Sequence, residues 1–228
     1  MASSAMNPTG PCIFPVASLD DPRIACYRNL KDGELARLGE LFIAEGELVV
    51  RRLLASDYPV ASVLLAEPKV RQIAPLVPPG AAIYAAPAPL VNAIVGFRFH
   101  SGVIACGRRR ALPSLDDVAP SWPARVSLVV LPEVTNTQNL GALLRISSAF
   151  GADAVVLGPQ CCDPFYRQSI RVSMGTVFRL RLVQSQDMAT DLRRLREQWG
   201  VQRVAAVADA AAEPLPGAAR PGRFALLF

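Results

Sequence analysis

Asn139 and Arg145 stand at the two ends of Asn139-Leu-Gly-Ala-Leu-Leu-Arg145, six residues apart where a polar loop turns into an apolar-periodic segment. A guanidinium off the leucine stripe of a helix is suited to hold a phosphate or the charge that develops in a group-transfer reaction. The same two residues also read as a helix N-cap and a solvated arginine, and spacing alone leaves both readings open. Arg167 and Arg171 are four apart, hence on one helical face, and are candidates for binding phosphates. Arg108, Arg109 and Arg110 form a second basic group, which fits phosphate contacts or a solvated linker. Asp209, after an apolar run, could line a nucleotide pocket or serve a turn.

Other chemistries are excluded by what is missing. His100 is the single histidine, so a His-rich metal site and a His pair for acid/base work are ruled out, and a structural, hydrogen-bonded role is expected for it. Cys12, Cys26, Cys106, Cys161 and Cys162 are odd in number and lack C-x-x-C spacing. No disulfide framework or metal site is expected, and Cys161-Cys162 reads as packing. No G-x-G-x-x-G or G-K-[ST] loop follows a predicted strand, which argues against a generic nucleotide-binding protein.

The elements that must position these residues follow from the apolar pattern. The 228 residues are 51% hydrophobic and 19% charged, enough for one or two cores and inconsistent with disorder. The net charge of +5 is uneven: residues 1–121 hold 12 basic and 11 acidic side chains, residues 122–228 hold 12 and 8. Only Lys31 and Lys69 are lysines, so the remaining basic residues are arginines, with forks that suit phosphate. No run is long enough to span a bilayer, and the first residues lack a basic n-region, so a cytoplasmic protein without a membrane partner is expected.

Proline, small and charged residues over 108–123 suggest a linker between domains at 1–107 and 124–228. In the first, strands are predicted over 41–46, 60–66, 82–85 and 103–106, with residues 32–38 leading in. Helices are predicted over 47–55, with Leu48 and Leu54 on the apolar stripe, over 70–76 and over 88–94. In the second, a strand over 126–131, a polar loop over 135–139, a helix over 141–150 and a strand over 154–157 make a βαβ unit with a parallel sheet. Leu140, Leu143 and Leu144 mark the helix's apolar side, and Gly151 is placed to end it. A helix over 187–199, a strand over 201–208 and a strand over 223–228 follow. Ser173 and Gly175 allow close backbone approach or start a strand. Glu45-Gly46 closes a turn.

The polar loop, Asn-x-Gly-x-x-x-Arg and Ala149-Phe-Gly-Ala-Asp-Ala-Val-Val-Leu157, in that order after a strand, resemble the first motif of the SpoU (TrmH-like) RNA 2′-O-ribose methyltransferases of the SPOUT superfamily. Asp163-Pro-Phe-Tyr-Arg-Gln-Ser-Ile-Arg-Val-Ser-Met-Gly-Thr-Val-Phe178 resembles a later segment of that family, in which a small Ser-x-Gly follows a basic helix. Phe42-Ile-Ala-Glu-Gly-Glu47 and Ile94-Val-Gly-Phe-Arg-Phe-His-Ser-Gly-Val-Ile-Ala105 are similar to its L30e-like substrate-binding domain. The resemblance spans nearly the whole chain. It implies an α/β protein with an N-terminal L30e-like domain and a SPOUT (trefoil-knot type) parallel-sheet domain. It also implies a homodimer, S-adenosylmethionine as cofactor, and structured rRNA or tRNA as substrate, with Arg145 catalytic and Asn139 shaping the substrate pocket.

Family members continue after a strand like 224–228 into a Gly-x-Glu-x-x-Gly loop and a Ser-Leu-Asn-Val-Ser helix, which form the knot, the cofactor pocket and much of the dimer interface. Neither is in this sequence. The resemblance therefore implies an incomplete methyltransferase domain, cofactor contacts mainly after Phe228, and a chain that is inactive by itself. A non-catalytic RNA-binding protein on the same scaffold is the alternative.

Overall fold

Continuous apolar runs buried on both faces form the central strands of two separate sheets. The computed structural model describes residues 12–30, 40–214, 217 and 220–228. The lead-in expected at 32–38 lies outside them. The chain divides into two compact units, Met1–Arg109 and Arg110–Phe228.

In the first unit, strands β1 (Ile13–Pro15), β2 (Leu41–Glu45), β3 (Val60–Ala66), β4 (Ala82–Ala86) and β5 (Val103–Arg108) form a sheet in the order β1-β4-β3-β5-β2. β1, β4 and β3 run parallel, while β5 is antiparallel to both β3 and β2. Helices α1 (Glu47–Leu54), α2 (Glu67–Ile73) and α3 (Ala88–Val95) supply the connections. On α1 the buried side chains are Val49, Val50 and Leu53, whereas Leu48 is 46% exposed, so the apolar stripe lies off the predicted one. Gly46, with φ of 100°, starts α1 directly after the strand and fixes that rotation. His100, expected to be hydrogen-bonded in a structural role, is exposed and makes no hydrogen bond among the described residues; the polar anchor of its loop is Ser101, whose hydroxyl accepts from the Glu47 amide at 2.9 Å.

In the second unit, α4 (Leu115–Val118) precedes β6 (Val126–Leu131), α5 (Thr137–Ala149), β7 (Ala154–Leu157), α6 (Arg167–Val172), β8 (Leu182–Gln184), α7 (Met188–Glu197), β9 (Gln202–Ala205) and β10 (Arg223–Leu227). All five strands are parallel, in the order β8-β7-β6-β10-β9. Leu128, Val130, Val156, Val183, Leu195 and Ala225 meet in its core. Part of the stretch read as linker folds here: Ser114 and Asp117 form a reciprocal capping box for α4, and Leu115 and Val118 are buried in the core. β9 is shorter than predicted: the Ala206 amide still donates to the Leu227 carbonyl at 3.0 Å, and residues 207–208 are exposed beyond that bond. β1 and β8, three residues each, carry too little alternation to be seen in sequence.

The connectivity locates a candidate site. From β6 the chain steps outward to β7 and β8, then crosses to β9 at the opposite edge and returns to place β10 against β6. β6 and β10 thus flank the point where strand order reverses, and in open parallel sheets ligands bind beyond the carboxyl ends of strands at such a point.

Candidate active site

The wall of this crevice on the β6 side is the loop of residues 132–136 and the first turn of α5. Asn136, not Asn139, caps the helix: its Oδ1 accepts from the amides of Gln138 at 2.9 Å and Asn139 at 3.0 Å. The helix therefore starts at Thr137, ahead of the predicted 141, and the polar loop is correspondingly shorter. Asn139 becomes a first-turn residue with its side chain exposed at the carboxyl end of β6. The missed signal was an Asn followed four and eight residues on by the apolar Leu140 and Leu144. Replacing Asn136 by alanine is expected to destabilise the second unit by about 1 kcal/mol, read by urea unfolding, with Asn136→Asp close to wild type.

Arg145 sits in the third turn of α5, about 9 Å along the axis from Asn139. It is exposed and makes no hydrogen bond or ion pair among the described residues. Because the helix starts early, Arg145 lies partway down its flank rather than at the rim of the sheet. Leu140, Gly141, Leu144 and Ser147 face the core, and Leu143 is only half-buried.

Helix α6, which carries Arg167 and Arg171, packs on this flank. A Cβ on Gly141 would stand 2.7 Å from Val172 Cβ and 2.8 Å from the Ser169 carbonyl oxygen, so the close approach of the two helices requires glycine. Arg145 follows Gly141 by one turn, on the side that α6 approaches. The structure thus brings Arg145, Arg167 and Arg171 onto one helix pair. Arg171 is exposed and Arg167 half-buried. Ser173 and Gly175 do not begin a strand. Ser173 is fully buried and caps α6, its hydroxyl donating to the Ile170 carbonyl at 2.9 Å, while Met174 and Gly175 both take positive φ to end the helix.

The remaining candidates lie elsewhere. Asp209 is exposed beyond β9 and forms a turn, its Oδ1 accepting from the Ala211 amide at 2.9 Å. Arg108 ends β5, and Arg109 is tied to the first unit, its amide donating to the Glu40 carbonyl and its Nε to the Leu41 carbonyl. Arg110 opens the second unit and is exposed.

Two loops are stitched together at the site. The Gly158 amide donates to the Leu131 carbonyl at 2.9 Å, and a Cβ on Gly158 would fall 1.9 Å from the Pro132 oxygen. Cys161 does more than pack: its thiol donates to the Leu131 carbonyl at 3.1 Å and accepts from the Val134 amide at 3.3 Å. Burial, reinforced by the neighbouring Cys161, raises the Cys162 thiol above its ordinary value, which keeps it protonated at neutral pH. At the far side, Gln184 Nε2 donates to the carbonyls of Leu157 and Gly158 at 3.2 and 3.3 Å, satisfying the carboxyl end of β7. Among the described residues, no group of three or more His, Cys, Asp or Glu could hold a metal ion, and no helix is long and apolar enough to cross a membrane.

Comparisons with known proteins converge on one family. The profile of the SpoU rRNA Methylase family matches residues 127–228. An uncharacterized tRNA/rRNA methyltransferase of Mycobacterium tuberculosis is 34% identical over 198 residues, covering 85% of this chain and 68% of the relative. A 23S rRNA (guanosine-2′-O-)-methyltransferase RlmB of Ralstonia nicotianae is 31% identical over 139 residues, 60% of this chain and 55% of its own. The AdoMet-bound rRNA methyltransferase from Sinorhizobium meliloti superposes with a TM-score of 0.76 at 25% identity, covering 94% of this chain and 80% of that one. The SpoU methyltransferase AviRb from Streptomyces viridochromogenes shares the fold, with a TM-score of 0.68 at 20% identity over 91% of this chain and 79% of its own.

Proposed function

Since the chain belongs to the SpoU rRNA methylase family, we propose that the full-length protein transfers the methyl group of S-adenosylmethionine to a ribose 2′-hydroxyl of structured rRNA or tRNA. The observation that carries this reading is Arg145, an exposed arginine without a partner among the described residues, on the helix that leaves β6 at the strand-order reversal. A guanidinium is a poor base, so the part of Arg145 is to hold the 2′-oxygen and the adjoining phosphate in line for attack. Asn139, at the carboxyl end of β6, offers an amide that both donates and accepts to the ribose. Arg167 and Arg171 extend the positive surface along α6 and neutralise backbone phosphates. The first unit, as an L30e-like domain, and the basic residues Arg108, Arg109 and Arg110 bind the RNA fold.

S-adenosylmethionine, when bound, supplies the electrophilic methyl group. The crevice between β6 and β10 suits it in position: Val130 and Leu227 are register partners where the two parallel strands end.

The outer face of α5 supports a homodimer. Asn139, Leu143, Ile146 and Phe150 follow at spacings of four, three and four, and Ile146 and Phe150 are 52% and 85% exposed. Phe150→Glu is expected to shift the protein toward monomer by light scattering, and an unchanged mass would remove this face from the interface.

The function is tested by incubating the protein with S-adenosylmethionine carrying a labelled methyl group and with ribosomal and transfer RNA, then digesting to nucleosides. A 2′-O-methylated nucleoside is the expected product. Labelled bases would move the target off the ribose, and RNA binding without transfer would favour a binding protein on this scaffold.

A further inference from the structure

We propose that Cys161 is a positioning residue for the methyl-transfer site, acting through a thiol bridge between the end of β6 and the loop that enters α5. The proposal rests on the functional reading above, because it matters for catalysis only if Asn139 and Arg145 handle the substrate.

Val134 lies in the middle of the loop of residues 132–136, and both of its backbone groups are held by consecutive cysteines. Its amide donates to Cys161 Sγ at 3.3 Å, and its carbonyl accepts from the Cys162 amide at 2.8 Å. The same Cys161 thiol donates to the carbonyl of Leu131, the last residue of β6, at 3.1 Å. That carbonyl also accepts from the Gly158 amide, so the strand end is fixed from the β7 side by two donors. The loop between these anchors is short, and Asn136 caps α5 immediately beyond it. Displacement of Val134 therefore passes to Asn136 and then to the first turn, where Asn139 sits, with little slack to absorb it.

The chemistry of sulfur suits this bridge. A thiol is one donor and a weak acceptor, and its long C–S bond lets one atom reach both backbone groups. Serine places a stronger donor on a shorter arm and keeps one of the two bonds. Alanine leaves the Val134 amide without its acceptor. Cys161 and Val134 are only half-buried, so water can take the amide over and the loss falls on the position of the loop more than on folding.

The test compares wild type with Cys161→Ala, Cys161→Ser and, as an exposed-thiol control, Cys12→Ala. Three quantities are read: amide hydrogen exchange at Val134, kcat and KM for methyl transfer to RNA, and the thermal midpoint. For Cys161→Ala the expected results are exchange at Val134 faster by about tenfold or more, kcat lower by about 10- to 100-fold, and KM for RNA and the midpoint nearly unchanged. Cys161→Ser should recover part of kcat, and Cys12→Ala should match wild type. The proposal is overturned if Cys161→Ala keeps its turnover, if Val134 exchange is unchanged, or if kcat falls only together with the midpoint and serine restores nothing. If wild type itself transfers no methyl group to RNA, the functional reading fails instead. Val134 exchange then decides the bridge alone: faster exchange in Cys161→Ala keeps it, and unchanged exchange discards it.

Discussion

Arg145→Ala should lower kcat for methyl transfer by about 100- to 1,000-fold, the range seen when one preorganised charge-stabilising donor is removed from an active site. The folded state gives no competing explanation for such a loss. Arg145 is exposed, unpaired among the described residues and in a helix interior where alanine is favoured, so stability should stay within about 0.5 kcal/mol of wild type. RNA affinity should fall only modestly, because Arg167, Arg171 and the basic residues near 109 remain. Lysine at 145 should recover little: its ammonium keeps the charge but cannot present two parallel donors to an oxygen and a phosphate together. A variant that retains turnover within about threefold of wild type would remove Arg145 from the reaction.

Gly158→Ala should be the most damaging single methyl group in the second unit, costing about 3 kcal/mol or more of stability. The added carbon would meet the Pro132 carbonyl oxygen at 1.9 Å and its carbon at 2.8 Å, both backbone atoms. Nor can Gly158 retreat, since its amide is bound to the Leu131 carbonyl at 2.9 Å. Gly141→Ala makes a graded comparison. There the nearest atoms are Val172 Cβ at 2.7 Å and the Ser169 oxygen at 2.8 Å, both on α6, a short helix that can shift. Its cost should be smaller, while the displaced α6 should reduce methyl transfer through Arg167 and Arg171. Denaturant midpoints for the two variants, with rates for Gly141→Ala, check the ordering. Equal stabilities would mean that the β6 and β7 loops yield as readily as a helix pair.

The β6-α5-β7 unit was legible because each of its signals is local. Val126–Leu131 and Ala154–Leu157 are apolar runs of strand length, Leu140 and Leu144 repeat at helical spacing, and Gly151 takes the positive φ its position demands. The helix start was misplaced because two asparagines compete for the cap, and only the side-chain hydrogen bonds of Asn136 decide between them. On α1, Leu48 and Val49 are equally apolar, and which one is buried depends on how Gly46 turns the chain. Of the site, the residue types of Asn139 and Arg145 stood out in sequence, and so did the helical spacing of Arg167 and Arg171. The bridge at Cys161 did not, since it joins residues 27 and 30 positions apart and uses a side chain that ordinarily signals packing. Sequence periodicity carries no information about such contacts.

The strand order of the second unit also sets the sequence in which its sheet can be completed. β6, at 126–131, pairs early with β7 on one side, but its other edge waits for β10, at 223–227. Among the described residues β9 pairs with β10 alone, so the strands before it cannot recruit it beforehand. While the polypeptide is being made, the middle strand of the unit therefore keeps an open row of amides and carbonyls until residues 223–227 emerge. Closing that row is a long-range parallel pairing, the slowest kind of contact for a chain to find. The crevice between β6 and β10 comes into existence at the same moment, so its two walls meet only through a pairing between segments about ninety residues apart in the chain.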